Sequence, residues 1–262
     1  MTAHFEEPVV SYMTRDPEVA HLDTPLDEIA RILDARKISG LPIIDKRCSL
    51  VGVISQTDLI SLGVMRAGHR AKSPVAPLPH RRAHDVMTHD PVAVDSSTSL
   101  QQAAQLMIQR QIHRVFVTEA DRLVGVITAV DLTAAVRDAK IVAPLSSIMT
   151  SPIVSLDIHE PLSAAVSLLE TLRITGLIVT EEHIPIGTFT QHEALVSRDR
   201  PGDTPLEDVY DAAVICLPAE LKLSRAAAHA AQLAVRRVVA CRAREAVGIV
   251  TTTDFARVAA IA

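Results

Sequence analysis

Between residues 26 and 33 the apolar positions Leu26, Ile29, Ala30 and Leu33 fall three and four apart, the spacing that lines one face of an α-helix. Thr24, Pro25 and Asp27 stand where a cap, a first helical residue and the acid of a capping box are expected. A short strand around Glu18-Val19-Ala20 precedes this helix. Two β-rich runs follow it, Leu41 to Ile44 and Leu50 to Ile54, with a polar turn at Asp45-Lys46-Arg47 between them. A second helix opens at Thr57-Asp58. The order is strand, helix, strand, strand, helix.

That unit recurs. Its opening, Tyr12-Met13-Thr14-Arg15-Asp16-Pro17, returns as Val86-Met87-Thr88-His89-Asp90-Pro91 and, one residue shorter, as Ile148-Met149-Thr150-Ser151-Pro152. Its close, Gly52-Val53-Ile54-Ser55, returns at Gly125, Gly187 and Gly248. The last copy has an eroded opening around Val209-Tyr210-Asp211. In the second copy Thr98 and Gln101 repeat the capping arrangement. The glycines recur after about 73, 62 and 61 residues, the size of a small supersecondary unit. The expected division is residues 1–65 for repeat one, 66–84 for a linker, 85–138 for repeat two, 139–200 for repeat three and 201–262 for repeat four. A unit of about 60 residues is marginal alone, so the copies are expected to pair.

The longer first gap holds an insertion from Gly63 to Ala83 with Pro74, Pro77 and Pro79, read as a solvated connector. Its basic residues, Arg66, His69, Arg70, Lys72, His80, Arg81, Arg82 and the adjoining His84, also suit contact with an acidic partner or phosphate. A second junction runs from Ser197 to Thr204.

Composition narrows the function classes. Hydrophobic residues make up 48% of the chain but aromatics only 2%, so the interior is aliphatic and stacking platforms are scarce. With a formal net charge of -5, nucleic acid is an unlikely partner class. Cys48, Cys216 and Cys241 form no CxxC pair, and His80 and His84 lack nearby acids or thiols, so neither a disulfide framework nor a metal site is expected. No apolar run approaches the roughly 20 residues of a membrane span and no basic-then-apolar leader opens the sequence. A soluble cytoplasmic protein is expected. No P-loop, dinucleotide fingerprint or Ser-His-Asp order is present, so no enzyme activity is expected.

The Met-Thr-x-x-Pro openings, the strand Gly40-Leu41-Pro42-Ile43-Ile44-Asp45 and the close Gly52-Val53-Ile54-Ser55-Gln56-Thr57-Asp58 together resemble the CBS (cystathionine beta-synthase) domain family. The resemblance covers nearly the whole chain. It implies an α/β (α+β) fold of four CBS repeats, paired into two Bateman modules whose clefts take adenosine ligands such as AMP, ADP or ATP. Asp58, Asp131 and Asp254 match the family's ribose carboxylate. An ionised Asp only accepts, and so can serve two neighbouring hydroxyls. Ser55, Thr57, Thr128, Thr251 and Thr253 match its phosphate-binding hydroxyls, and alternation along the strand end would put Ser55 and Thr57 on one side. His113-Arg114, just before the strand Val115 to Val117, resembles the His-Arg pair that contacts phosphates in the gamma subunit of AMP-activated protein kinase. Arg236-Arg237 stand at the equivalent place in repeat four, while repeats one and three have Ser39-Gly40 and Thr175-Gly176. The adenine is expected against Val19, Ile38 and Pro42 in one site and against Ile215 and Val238 in another.

Two features oppose a simple extrapolation. Thr57-Asp58 and Thr253-Asp254 are equally what an ordinary helix N-terminus needs. Repeat three has Thr190-Gln191-His192-Glu193, so its cleft is expected to be empty or different. The leading expectation is a regulatory nucleotide sensor acting on a separate protein or through a homodimer. The competing ones are a ligand-free scaffold and a binder of S-adenosylmethionine or a cyclic dinucleotide.

Overall fold

A computed structural model describes residues 4–64, 78–243 and 245–262. Repeat one contributes β1 (Thr14–Arg15), β2 (Ala20–His21), α1 (Leu26–Ala35), β3 (Gly40–Ile44), β4 (Leu50–Ser55) and α2 (Gln56–Val64). Repeat two contributes β5 (Thr88–His89), β6 (Ala93–Asp95), α3 (Leu100–Arg110), β7 (Arg114–Glu119), β8 (Arg122–Thr128) and α4 (Ala129–Asp138). Repeat three gives β9 (Ser155–Asp157), α5 (Leu162–Thr171), β10 (Gly176–Glu181), β11 (Ile184–Thr190) and α6 (Gln191–Val196). Repeat four gives β12 (Ile215–Pro218), α7 (Leu223–Gln232), β13 (Arg237–Arg242), β14 (Glu245–Thr251) and α8 (Thr252–Ile261). All four copies follow the expected element order, including the eroded fourth.

The described residues fall into two compact units. One holds residues 1–17, 92–153 and 214–262, and the other residues 18–91 and 154–213. In the first, α3 packs on α8 and α4 on α7 and α8, and in the second α2 packs on α6. Each unit has its own aliphatic core. The first is built around Leu100, Val115, Leu132, Leu223 and Val239's neighbour Val238, the second around Leu26, Leu41, Leu162 and Leu177. All four phenylalanines, Phe5, Phe116, Phe189 and Phe255, are buried core residues rather than ligand platforms.

The openings do not complete their own sheets. Strand β1 of repeat one pairs with β8 of repeat two, Thr14 opposite Val126 and Arg15 opposite Gly125. Strand β5 of repeat two pairs with β4 of repeat one, Gly52 opposite His89. Thr150 likewise bridges Ile249, and Asp211 bridges Thr188. The sheets are therefore ordered β1-β8-β7-β6, β2-β3-β4-β5, β11-β10-β9 and β12-β13-β14.

This exchange explains why the closing landmark is glycine. A Cβ at Gly125 would run into the Met13 side chain, one at Gly52 into Met87 and one at Gly248 into Met149. At Gly187 it would meet the Tyr210 ring and the Asp211 carbonyl oxygen. Tyr210 thus fills in repeat four the place that methionine fills in the other openings, and the erosion is one of sequence only.

The junctions have a structural task that changes the capping expectations. The Leu26 N–H at the start of α1 donates to the Arg81 carbonyl (3.1 Å), so Pro25 is the N-cap residue and Thr24 instead accepts from the His21 N–H. At α3 the Glu7 and Phe5 carbonyls accept from Leu100 and Gln101, and the capping box is Ser99 with Gln102, one residue later than Thr98 with Gln101. The segment around Gly202 and Thr204 does the same for α5, and Ala143 and Ile141 for α7. Segments that read as connectors satisfy the orphan donors of a helix in another repeat. Residues 65–77 of the connector, with Arg66, His69, Arg70 and Lys72, lie outside the described residues.

Candidate functional site

The closing motif folds the same way four times. A hydroxyl residue ends the second antiparallel strand, and an acid three residues on reaches back to it. The Ser55 N–H and Oγ both donate to Oδ2 of Asp58 (2.8 and 2.7 Å). Thr128 does so to Asp131 (2.7 and 2.8 Å) and Thr251 to Asp254 (2.8 and 2.7 Å). In repeat three the longer Glu193 takes the acid's place, accepting from Thr190 N–H and Oγ1. The sequence reading set the cap at Thr57 and Thr253, whereas the capping hydroxyls are Ser55 and Thr251, two residues earlier. Ser55 ends its strand and Thr57 lies in the first turn of α2, so strand alternation does not carry on to Thr57.

Thr57 and Thr253 are released for other partners. Thr253 Oγ1 shares a hydrogen bond with Nδ1 of His113 (3.1 Å). Thr57 Oγ1 donates to Oε1 of Gln191 (2.8 Å). Each therefore joins the start of one closing helix to the other repeat of its unit.

In the unit formed by repeats two and four this meeting point is basic. The His113 carbonyl accepts from the Ala129 N–H and the Arg236 carbonyl from the Thr252 N–H, which ties each strand entrance to its own closing helix. Arg114 stands opposite Thr128, and Arg237 opposite Thr251, at the ends of their antiparallel pairs. The His113 residue keeps solvent exposure, yet its ring is crowded enough that desolvation, with Arg114, Arg236 and Arg237 around it, holds its pKa below the ordinary 6.5. Three guanidinium groups from two repeats thus gather around the His113 ring. Burial pushes the Asp131 carboxyl up despite the bonds from Thr128. Asp254 is 5% exposed and its Oδ1 also accepts from Arg257 (2.7 Å). Arg257, three residues on along α8, was missed from the sequence, although its spacing places it on the same helix face.

At the corresponding point in the unit of repeats one and three, amide and imidazole side chains bridge the two closing helices. Gln56 Nε2 meets Nδ1 of His192 (3.1 Å), while Nε2 of His192 lies 3.5 Å from Asp34. The departures in repeat three signalled the difference, but nothing in an exposed helical residue signalled Asp34.

The proposed base contacts vary in access. Val19 and Ile38 are half-buried, and Pro42 is buried in the central strand β3. Ile215 is half-buried opposite Val238, which is wholly enclosed in the core. Away from these motifs, a cavity of about 210 Å³ lies between Asp27 at the start of α1 and residues His80, Arg81 and Arg82. There Arg82 donates to the Asp23 carbonyl and His84 sits between Asp23 and Asp85, so local groups answer much of that basic character. Among the described residues no three His, Cys, Asp or Glu side chains cluster as a metal site requires, and no helix is long and apolar enough to cross a membrane.

Comparison with known proteins places this geometry. The CBS domain family model matches residues 9–64, 83–138 and 145–197. An uncharacterized 33.4 kDa protein in a ribosomal RNA operon of Thermofilum pendens is 24% identical over 74% of this chain and 66% of its own length. The CBS domain-containing protein CBSX1, chloroplastic, of Arabidopsis thaliana is 28% identical over 46% of this chain and 60% of its own. The matches thus span less than two thirds of these relatives' lengths. Among solved structures, protein MJ1225 of Methanocaldococcus jannaschii, described as a putative archaeal homolog of g-AMPK, covers 96% of this chain and 99% of that one at a TM-score of 0.79 and 14% identity. That likeness shows the fold through the fourth repeat, which the family model leaves unmatched. Matched over more than half its length, with four copies of one strand-helix-strand-strand-helix unit in a Bateman-type α/β fold, the chain belongs to the CBS domain family.

Proposed function

We propose that this protein is a regulatory binder of an adenosine-containing nucleotide, AMP, ADP or ATP, whose bound state is read by a separate protein. The observation that carries the reading is the gathering of Arg114, Arg236 and Arg237 around His113, with Arg114 and Arg237 standing opposite Thr128 and Thr251, the hydroxyl residues of the Asp131 and Asp254 capping boxes. Guanidinium groups hold phosphate oxygens bidentately, and a cluster of them in a chain of net charge -5 is a local anion trap. A carboxylate offers about four lone-pair sites, so Asp58 or Asp131, bonded through Oδ2, retains acceptor capacity for ribose hydroxyls. At Asp254 the ribose would displace Arg257. Ile215 offers the fourth repeat's base contact, and Val19, Ile38 and Pro42 the first's. Ser55, Thr57, Thr128, Thr251 and Thr253 border the phosphates in this reading. Regulation follows if the ligand binds one arrangement of the protein more tightly than another.

Calorimetric titration of the full chain with AMP, ADP and ATP tests this. Arg236→Gln and Arg237→Gln should each weaken binding about tenfold or more, the scale of one charge-assisted hydrogen bond. Asp58→Ala and Asp254→Ala should each remove one class of site. Heat with none of the nucleotides, or unchanged affinity in both arginine variants, overturns the reading. Stabilisation by S-adenosylmethionine or a cyclic dinucleotide alone in a thermal-shift panel would move the ligand class.

A second reading has its own support. The bonds from Gln56 to His192 and from Thr57 to Gln191 close the junction between α2 and α6 with protein groups. On that reading the unit of repeats one and three is a scaffold, and only the other unit serves ligand.

A further inference from the structure

We infer that Arg257 is an internal competitor for the ribose acid of repeat four. Its guanidinium holds the Asp254 carboxylate in the empty protein and must leave before a ribose binds there, which makes this site weaker than the one at Asp131. The inference rests on the functional reading of Asp131 and Asp254 as ribose acids. Asp254 is nearly enclosed, and its two oxygens are divided between partners. Oδ2 accepts from the Thr251 N–H and Oγ1 (2.8 and 2.7 Å), and Oδ1 accepts from Arg257 Nη1 (2.7 Å). A carboxylate has about four lone-pair sites, so these three donors leave room for one more, while the two neighbouring hydroxyls of a ribose ask for two.

Among the four repeats, only the fourth has a guanidinium at this turn. Three residues after the acid the others carry Ser61, Ala134 and Val196. Ala134 and Val196 have no side-chain donor, and Ser61 Oγ donates instead to the Thr57 carbonyl (2.9 Å). In α8 the acid precedes the base by three residues, the order that the helix dipole favours, so the pair forms from local geometry. Burial adds to its hold. An enclosed carboxylate stripped of its cation is costly, whereas Asp131 is only half-buried.

Arg257 is nonetheless placed to move. Its side chain is 60% exposed, so the guanidinium can swing into water without disturbing the core. Exchange at Asp254 therefore replaces a cation by two neutral hydroxyl donors, a step that Asp131, followed by Ala134, does not require. Two chemically alike acids in one unit thereby acquire different affinities, and Asp131 fills first.

The test isolates Asp254 in the full-length chain by Asp58→Ala with Asp131→Ala, and titrates it calorimetrically with adenosine and with AMP, in the presence and absence of Arg257→Ala. Adenosine has no phosphate, so losing the long-range attraction of a cation does not mask the gain. Arg257→Ala should raise adenosine affinity about three- to tenfold, the scale of one partly exposed charge-assisted bond, and AMP affinity by less. An arginine that only supports the helix would lower Tm on removal and leave affinity where it was. Because each aspartate variant also loses a cap, the wild-type chain supplies a second readout. The side-chain nitrogen resonances of Arg257, assigned with Arg257→Lys, should move on saturation with AMP to where they stand in Asp254→Ala. Adenosine affinity unchanged or reduced by Arg257→Ala, or Arg257 resonances unmoved by bound AMP, overturns the competitor role and leaves the nucleotide reading standing. No heat from adenosine or AMP in any chain, the wild type included, overturns both.

Discussion

Replacing Gly187 by alanine should be the most damaging of the four landmark substitutions. At the other three the intruding atoms belong to methionine side chains, which move at low cost. At Gly187 the new methyl meets the Asp211 carbonyl oxygen as well as the Tyr210 ring. That oxygen accepts from the Thr188 N–H (2.7 Å), and Asp211 N–H donates back to Thr188 (2.8 Å), so the backbone cannot retreat without opening both bonds. Overpacking costs about 1–3 kcal/mol and each of the two bonds about 1 kcal/mol, which together give about 3–5 kcal/mol. At roughly 2–4 °C per kcal/mol for a chain of this size, calorimetric Tm should fall by about 6–20 °C. Gly125→Ala, facing only Met13, should cost about 1 kcal/mol. Met13→Ala should also be better tolerated in the Gly125→Ala background than in the wild type, since it empties the contested space. Equal Tm shifts for Gly187→Ala and Gly125→Ala would refute the assignment of the backbone oxygen as the obstacle.

Other outcomes follow from the hydrogen bonds and charges. Thr251→Ala removes the capping hydroxyl of α8 and should cost about 1 kcal/mol in urea titration, with the m-value unchanged. Tyr12, raised to about 12 by burial and then by its hydrogen bond to Asp138 (3.0 Å), should ionise at lower pH in Asp138→Asn. Ultraviolet titration in a Tyr210→Phe background reads this directly, and an unmoved curve would contradict it. His113 titrates below 6.5 in the fold, so the unfolded chain holds that proton more readily. Its contribution to stability is present above about 6.5 and is lost as pH falls through the unfolded value toward the folded one. The His113 ring resonances should shift to a higher midpoint in Arg236→Gln, where a neighbouring cation has been removed.

Much of the fold was legible because the signal was repetition. Four copies of one element order, seen through the glycine and Met-Thr landmarks, outweigh any single propensity. What the sequence could not supply was where each landmark meets its complement. Met13 and Gly125 sit in different repeats, and only the exchange of openings explains why they recur together. The capping expectations at Thr24 and Thr98 failed for a related reason, since carbonyls distant in sequence, Arg81 and Glu7, took the donors that local rules give to hydroxyls. The acids Asp58, Asp131 and Asp254 stood out by motif and the structure shows them as capping-box acids, but the bonds of Thr57 to Gln191 and of Thr253 to His113 depend on packing between repeats.

Neither compact unit is a continuous stretch of chain: one is assembled from three segments and the other from two. During synthesis, β1 must wait for β8 more than a hundred residues later, and α3 and α4 must wait for residues 214–262 before they can pack on α8 and α7. Pairings over such sequence separations close slowly, leaving early strands exposed on the ribosome. Cutting the gene between repeats one and two would part β1 from β8 and β4 from β5, whereas two fragments split near residue 200, between repeats three and four, and expressed together should reassemble.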